Sequence, residues 1–368
     1  MVKKVLAISL LCTASPNIFA EEAQAYTWAH ALTLESITNL HGGVETGTRN
    51  LANLDLTLSV DTQAAGWWSS GTLFIYVLGN YGKPPSALTG ELQTLSNIEA
   101  ENNLTLYEFW YEHSFAEGNV KLLVGLHDYN STFYSLESAS LFNLSSMGIG
   151  PEIAQVTPSI FPVTAATVHL TLSHEDQYFL LAVYDGVPGD PSHPHGTHVK
   201  FGDDDGLLMA TEWGFAQEHD YKIALGAWRH TAAIENPVDG SLIDSNNGFY
   251  LLGEKYFSEN FSAFFQYGRA NENKNQLESY LGLGVSYKNP WIDGDVIGLA
   301  YAKAKNSADY LKVNPDVLSA ETVVELSYFR PLMEKVSIQS SLYSVMNPGM
   351  APDLDNSLAV GLRLYVEF

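Results

Sequence analysis

The stretch from Ser357 to Phe368 is the feature that most limits how this chain can fold. Apolar and smaller or polar residues alternate along it to the last position. One face carries Leu358, Val360, Leu362, Leu364, Val366 and Phe368; the other carries Ala359, Gly361, Arg363, Tyr365 and Glu367. A period of two indicates a β-strand. An apolar strand with a terminal aromatic is typical of a transmembrane barrel, which needs an outward apolar face and an inward polar one. The strand therefore predicts an outer-membrane β-barrel.

The N-terminal segment is typical of a secretory signal. Lys3 and Lys4 precede an apolar run, and the small residue Ala20 precedes two glutamates. We therefore predict a signal peptide over residues 1–20 and a single barrel domain over residues 21–368. The one cysteine, Cys12, lies inside the signal, so we expect no disulfide in the mature chain.

Charge limits the partners of the chain. The formal net charge is −24, and removal of the signal makes it −26 because the signal holds two lysines and no acid. Such a chain repels polyphosphate backbones, so nucleic acid is excluded as a partner. No segment after the signal approaches the roughly 20 consecutive apolar residues of a membrane helix, so any membrane span must use strands.

Period-two runs recur along the whole chain, and most have the ~9–11 residues of a tilted membrane strand. We count sixteen, near 28–41, 50–61, 71–81, 104–115, 119–129, 165–173, 177–187, 206–216, 220–231, 247–257, 260–270, 278–288, 294–305, 320–331, 334–346 and 357–368. Their connections alternate between short turns and long polar segments, as hairpins of a barrel do. With the N-terminus in the periplasm, the outer segments are 82–103, 128–164, 187–206, 232–247, 306–319 and 347–357. The predicted fold is all-β, a 16-stranded antiparallel transmembrane β-barrel.

A soluble β-sandwich is the main alternative for any single strand. The signal, the terminal aromatic and the alternating loops argue against it, as do 20 tyrosines and 17 phenylalanines, which suit aromatic girdles at the membrane interfaces. A solenoid would show a fixed short repeat, and none is visible.

Two neighbouring runs supply the first candidate pore residues. In the segment from Leu106 to Glu112, alternation puts Tyr107, Phe109 and Tyr111 on one face and Glu108, Trp110 and Glu112 on the other. Hydrocarbon does not tolerate carboxylates, so the second face should point inward. The next run places Lys121 and His127 inward by the same alternation. Carboxylates, an ammonium group and a flat indole can bind the hydroxyl groups and C–H faces of a sugar.

Other polar residues have the same inward parity farther round the wall. They are Trp228, His230, Glu321, Glu325, Gln339, Tyr343 and Arg363, which we interpret chiefly as general lining. Arg229 and Arg269 have the outward parity near loop ends, where they could reach lipopolysaccharide phosphates, and a β-bulge would reverse that assignment.

Several short motifs together resemble the carbohydrate-selective porins of the OprB family from about residue 70 to the end. They are Leu106-Tyr-Glu-Phe-Trp-Tyr-Glu112, Gly125-Leu-His-Asp-Tyr-Asn130, Ser145-Ser-Met-Gly-Ile-Gly-Pro-Glu152, Pro158-Ser-Ile-Phe-Pro162, Asp185-Gly-Val-Pro-Gly-Asp-Pro191, Gly226-Ala-Trp228 and Asn347-Pro-Gly349. The resemblance implies a sixteen-stranded barrel that passes monosaccharides through an eyelet narrowed by an inward-folded loop. By position and length, that loop is 128–164, which begins at Asp128.

The chain departs from that family in its charges. OprB-type pores are described as having arginine in the eyelet, yet no Lys or Arg occurs between Lys121 and Lys200. Anion selectivity calls for rings of basic residues, so a neutral or cationic solute is favoured.

The predicted function is passive, carbohydrate-selective diffusion of small sugars such as glucose. The substrate-binding candidates are Glu108, Trp110, Glu112, Lys121, His127, Asp128, Trp228, Glu321, Glu325, Gln339 and Arg363. One alternative is a general, mildly cation-preferring diffusion porin, and another is a hydrolase or adhesin built on a barrel. Catalytic motifs are missing from the sequence, so we predict no enzyme activity and no cofactor.

His193, His195 and His198 are spaced so that their imidazoles could share a zinc ion. Pro194 and Gly196 indicate a solvated outer loop instead, so we assign no metal. The expected partners are small sugars, outer-membrane lipid and lipopolysaccharide, and the barrel assembly machinery, through the strand that ends in Phe368. Whether the barrels assemble as a homotrimer is left open.

Overall fold

The computed structural model describes residues 24–236, 239–289 and 291–368. The predicted signal peptide, residues 1–20, lies outside the described residues.

Sixteen β-strands make up most of the described chain. They are β1 (Tyr26–Gly43), β2 (Gly47–Asp61), β3 (Gly71–Gly82), β4 (Asn103–Phe115), β5 (Val120–His127), β6 (Ala165–His174), β7 (Gln177–Asp185), β8 (Leu207–Gln217), β9 (Tyr221–Glu235), β10 (Leu242–Ser258), β11 (Phe261–Ala270), β12 (Leu277–Lys288), β13 (Val296–Asn306), β14 (Ala320–Met333), β15 (Val336–Met346) and β16 (Asp355–Glu367). The predicted strand count is confirmed.

Helices are short and lie in the connections. They are α1 (Ser86–Thr89), α2 (Pro151–Ala154) and α3 (Ala308–Val313), with 3-10 turns at Ala116–Gly118, Tyr129–Ser131, Ser138–Leu141, Ser145–Met147 and Pro348–Met350. Among the described residues, no helix has both the length and the apolar character that a membrane crossing requires.

The sheet closes on itself. Each strand pairs antiparallel with its neighbours in sequence, and β1 pairs with both β2 and β16. Leu34, for example, lies opposite Ala52 on one side and Leu364 on the other. Closure leaves no free strand edge along most of the wall, so backbone N–H and C=O groups are satisfied within the sheet, as hydrocarbon requires. The predicted closed antiparallel barrel is confirmed.

The alternation of β16 appears in the structure as two different faces. Leu358, Val360 and Leu362 are exposed on the outside, whereas Ala359 and Arg363 on the inner face are buried. The large exposed apolar side chains continue around the cylinder on the other strands. An apolar outer surface facing lipid explains this distribution, which would be unfavourable in water.

From β3 onward the connections mostly alternate in length, as predicted, whereas residues 44–46 and 62–70 between the first three strands reverse the pattern. One predicted segment also needs correction. The long connections lie at one end of the barrel: loop A (83–102), loop B (128–164), loop C (186–206) and the segment 307–319. The predicted outer segment 232–247 is mostly strand, because β9 continues to Glu235 and β10 begins at Leu242. The sequence does not indicate this extension, because both strands are polar at these ends. Strand ends that lie above the lipid do not need an apolar face.

Loop B folds into the barrel, and small residues on the facing wall make room for it. On β13 the inner face carries Gly298 followed by three alanines at every second position. A Cβ atom at Gly298 would lie 2.5 Å from Leu141 and 2.8 Å from Phe142 of the loop, closer than atoms pack. The hydrophobic core of this protein therefore lies between the inner wall and loop B.

Arginine substitutions on the outer face of β16 test the membrane assignment. Leu362→Arg should lower the free energy of unfolding by about 2–4 kcal/mol if this position lies near the bilayer midplane, whereas Val366→Arg, nearer the strand end, should cost about 0–1 kcal/mol. Urea unfolding in phospholipid vesicles measures both. Equal effects at the two positions would contradict a lipid-facing strand.

Candidate functional site

Loop B is anchored to the inner wall by glutamates that accept its backbone N–H groups. Glu254 on β10 accepts from the N–H of Ser138 at 2.7 Å and of Glu137 at 3.2 Å. Glu325 on β14 accepts from Asn143 and Leu144, both at 2.9 Å. In each case two consecutive amides share one carboxylate.

A third glutamate supports the start of the same loop. Glu212 on β8 is fully buried and accepts from the N–H of Tyr134 at 3.0 Å. It also accepts from the hydroxyl groups of Tyr178 and Tyr250 at 2.7 and 2.6 Å, and the ammonium group of Lys222 lies 3.4 Å away. Hydrogen bonds to a charged group contribute about 1.5–3 kcal/mol each, so these wall carboxylates stabilise the inward position of loop B.

Loop A is held in the same manner by another glutamate of β14. Glu321 accepts from the N–H groups of Leu92 at 2.8 Å and Gln93 at 3.0 Å. It also accepts from Gly349 in the connection between β15 and β16, at 2.6 Å. Two loops that are distant in sequence thus meet at one buried carboxylate.

A buried ion pair completes the support of loop A. Arg363 pairs with Glu35 of β1 at 3.0 Å and donates to Asn97 at 2.8 Å and to Ser96 at 3.2 Å. Both charged side chains are almost completely buried. Such a pair offsets its desolvation only when further hydrogen bonds satisfy it, and loop A supplies them.

Four of the predicted pore residues therefore lie under loops, and a fifth is buried in the wall. Glu321, Glu325 and Arg363 are buried and hold loop backbone or loop side chains, and Gln339 donates to the C=O of Leu141 at 2.6 Å. Trp228 faces inward but is only 3% exposed. These residues have the inward orientation that the sequence predicted, but they do not reach an open lumen.

A second group of predicted residues is brought together on β4 and β5, where the wall is less covered. Trp110 stacks on Phe74 of β3 with 4.9 Å between ring centres and 25° between planes, and its N–H donates to Glu108 at 2.8 Å. Beside it, Lys121 pairs with Glu112 at 3.1 Å, and both side chains are partly exposed. We call Phe74, Trp110, Glu112 and Lys121 the aromatic strip.

His127 and Asp128 lie at the entrance to loop B. His127 is buried, within 3.1 Å of both the Tyr184 hydroxyl and the Ser131 hydroxyl. Asp128 accepts from the N–H of Asn130 at 2.7 Å, so it caps the 3-10 turn that begins the loop. Burial raises the pKa of Asp128 to about 6. Both residues set the path of the chain where it leaves β5.

Tyr107 corrects the predicted alternation. A bulge in β4 opposite Tyr76 and Val77 adds one residue, and Tyr107 turns inward instead of outward. Its hydroxyl donates to Asp128 at 2.7 Å, and its ring lies edge-on to Tyr76 at 5.1 Å. Tyr76 in turn donates to Asp55 at 2.5 Å. Asp55, Glu108 and Asp128 thus form an acidic group behind the aromatic strip.

Sequence reasoning missed several of these residues. Glu212 and Glu254 have inward parity in predicted strands, so the sequence indicates that their side chains point inward. It does not indicate which loop residues they bind. Phe74, Tyr76 and Asp55 lie in predicted strands, and only the pairing of β2, β3 and β4 brings them to Trp110.

The histidine segment of loop C lies against the rim of β4. His193 bonds to Asp190 at 2.9 Å, and Thr197 accepts from the N–H of Leu106 at 2.6 Å. This contact covers the upper edge of β4, which is unpaired because β5 is shorter. Within the described residues, no three potential ligands are grouped to hold a metal.

Removing a wall carboxylate tests the anchoring of loop B. Glu325→Ala leaves the N–H groups of Asn143 and Leu144 without their charged acceptor, so their hydrogen exchange should accelerate by about tenfold or more. Hydrogen exchange with mass spectrometry measures the change. Glu334→Ala, in the exposed turn between β14 and β15, is the control; unchanged protection in the Glu325 variant would show that the carboxylate is dispensable.

Glu152 in α2 predicts a pH dependence of stability. Its side chain is fully buried, accepts from the Tyr134 hydroxyl at 3.0 Å and lies against Gly268. Burial raises its pKa from 4.5 to about 7, so the folded state holds a proton that the unfolded chain has lost. Its contribution to the free energy of unfolding therefore falls as the pH rises from about 4.5 to about 7.

Glu152→Gln should remove this part of the pH profile and make the protein more stable than the wild type at pH 8. Denaturant titrations between pH 4 and 8 test it, with Glu117→Gln in an exposed turn as control. Parallel profiles for wild type and Glu152→Gln would rule out the titration.

Comparison with known proteins agrees with this architecture. Residues 45–368 match the family model described as carbohydrate-selective porin, OprB family, while no curated protein matched the chain. The high-pH structure of Pseudomonas putida OprB has a TM-score of 0.83 at 16% identity, covering 94% of each chain. Its low-pH structure has a TM-score of 0.61 at 12% identity, covering 94% of this chain and 93% of that one.

The outer membrane channel DcaP of Acinetobacter baumannii has a TM-score of 0.62 at 8% identity, covering 93% of this chain and 97% of that one. At such identities the likeness of these structures concerns the fold, whereas the family match spans most of the sequence. The chain therefore belongs to the carbohydrate-selective porins of the OprB family and is a β-barrel channel of the Gram-negative outer membrane.

Proposed function

We propose that this porin conducts small neutral sugars, monosaccharides such as glucose, and that the aromatic strip is their contact site. The main support for this proposal is the Phe74–Trp110 stack beside the Glu112–Lys121 ion pair. These side chains are partly exposed, whereas the candidate residues farther round the barrel are buried. An aromatic face packs against sugar C–H groups, while the carboxylate accepts from hydroxyl groups and the ammonium group donates to them.

Loop B is the constriction in this proposal. Its backbone is bonded to β8, β10 and β14, so it occupies the far side of the interior and leaves β3, β4 and β5 as the open side. A solute would then pass between loop B and the aromatic strip. Passage is passive, down the concentration gradient.

Trp110→Ala should weaken glucose contact by about threefold to tenfold, because one aromatic contact is removed. The measurement is the glucose concentration that halves the single-channel current in a planar bilayer. Trp213→Ala, which removes a tryptophan from the lipid-facing side of β8, is the matched control. Equal glucose block in wild type and Trp110→Ala would remove the strip from the site.

A general, cation-preferring pore is the second candidate, favoured by the acidic group of Asp55, Glu108 and Asp128 behind the strip. The same bilayer experiment separates the two. Channels that glucose does not block, with a reversal potential that favours cations, would support the second candidate over the first.

A further inference from the structure

Lysine and arginine are distributed unevenly on the outer face of the barrel. Among the outward positions of the described strands, β1 to β8, β15 and β16 carry none. The six that occur lie on β9 to β14: Arg229, Lys255, Arg269, Lys303, Lys305 and Arg330. In a chain with 42 acidic and 18 basic residues, this one-sided placement is notable.

Four of the six lie at the end of the barrel that carries the long loops. We call Arg229, Arg269, Lys303 and Lys305 the basic patch. Arg269, Ser279 and Lys305 lie opposite one another in one row across β11, β12 and β13. Since neighbouring strands are about 4.8 Å apart, the two cationic residues of this row start about 10 Å apart, and Lys303 lies two residues from Lys305 on the same face.

Aromatic residues mark the level of the patch. Phe249 lies opposite Arg269, and its ring is 6.5 Å from that of Tyr267. Tyr301 precedes Lys303 on the outer face of β13. Outward aromatic rings typically lie where hydrocarbon meets headgroups, so the basic side chains extend into the headgroup layer of the outer leaflet.

The cations of the patch are available to an external anion. Arg269 pairs with Glu272 at 3.0 Å, and both side chains are about half exposed. Such an exposed pair contributes only about 0–1 kcal/mol, so a lipid phosphate can compete for Arg269. Lys305 pairs with Glu278, whose side chain is buried, but the Lys305 side chain itself is half exposed and can reach an external phosphate. In the part of the chain described, neither Arg229 nor Lys303 has a carboxylate within ion-pair distance.

We propose that the basic patch binds the phosphate groups of lipopolysaccharide in the outer leaflet. The argument rests on charge complementarity: several outward cations gather at headgroup level on one side of an otherwise acidic protein. This site lies on the outside of the barrel, away from the solute path, so its test is independent of the sugar proposal.

The test is binding of bisphosphorylated lipid A to the full-length barrel in detergent micelles, measured by native mass spectrometry. Each cation near a lipid surface contributes about fivefold in affinity, so Arg269→Gln with Lys305→Gln should weaken binding about thirtyfold. Lys255→Gln with Arg330→Gln, outward cations at the other end of the strands, is the matched control and should change binding less than about twofold. Dephosphorylated lipid A should bind the wild type weakly.

The conservative pair Arg269→Lys with Lys305→Arg should retain binding, which separates charge from folding. Unchanged heat-modifiable migration of all variants verifies that the barrels are folded. Equal binding of phosphorylated and dephosphorylated lipid A to the wild type would overturn the proposal. An equal loss in the control pair would overturn the location of the site.

Discussion

The interior of this barrel depends on carboxylates that accept backbone N–H groups. A loop that enters a closed barrel brings peptide groups that neither the sheet nor bulk water can satisfy. Glu212, Glu254 and Glu325 supply acceptors for loop B, and Glu321 does so for loop A. Because leaving a buried donor unsatisfied costs about 1–3 kcal/mol, these few side chains determine which path the loops can take.

Packing then follows from that anchoring. The wall opposite the aromatic strip carries mostly small residues on β12 and β13. Loop B fills the space there with Leu141 and Phe142 against Gly298 and with Met147 against Tyr280. An empty barrel of this size would be a wide aqueous hole. A loop on one side narrows this interior, and the proposed solute path is the remaining side, along the strip on β3, β4 and β5.

The barrel could be predicted from the sequence, because lipid outside and a polar interior require apolar and polar residues to alternate along each strand. Alternation was sufficient to orient Glu108, Glu112, Glu325 and Arg363 inward. It was insufficient at Tyr107, because a bulge shifts the alternation by one residue and leaves no mark in a run of aromatic and acidic side chains. The role of Glu325 depends on Asn143, 182 residues away, and such a contact cannot be inferred from local periodicity.

The charged residues inside the barrel bear on which solutes it can select. Inside, Lys222 and Arg363 are engaged by loops B and A, while Lys121 is paired with Glu112 on the strip. Asp55, Glu108 and Asp128 have tyrosine or tryptophan donors as partners instead of cations. On the proposed solute path, an anion would meet carboxylates with little compensating positive charge, whereas a neutral polyhydroxyl solute would meet hydrogen-bond acceptors and a flat ring. The same arrangement that disfavours anions therefore leaves neutral sugars as suitable solutes.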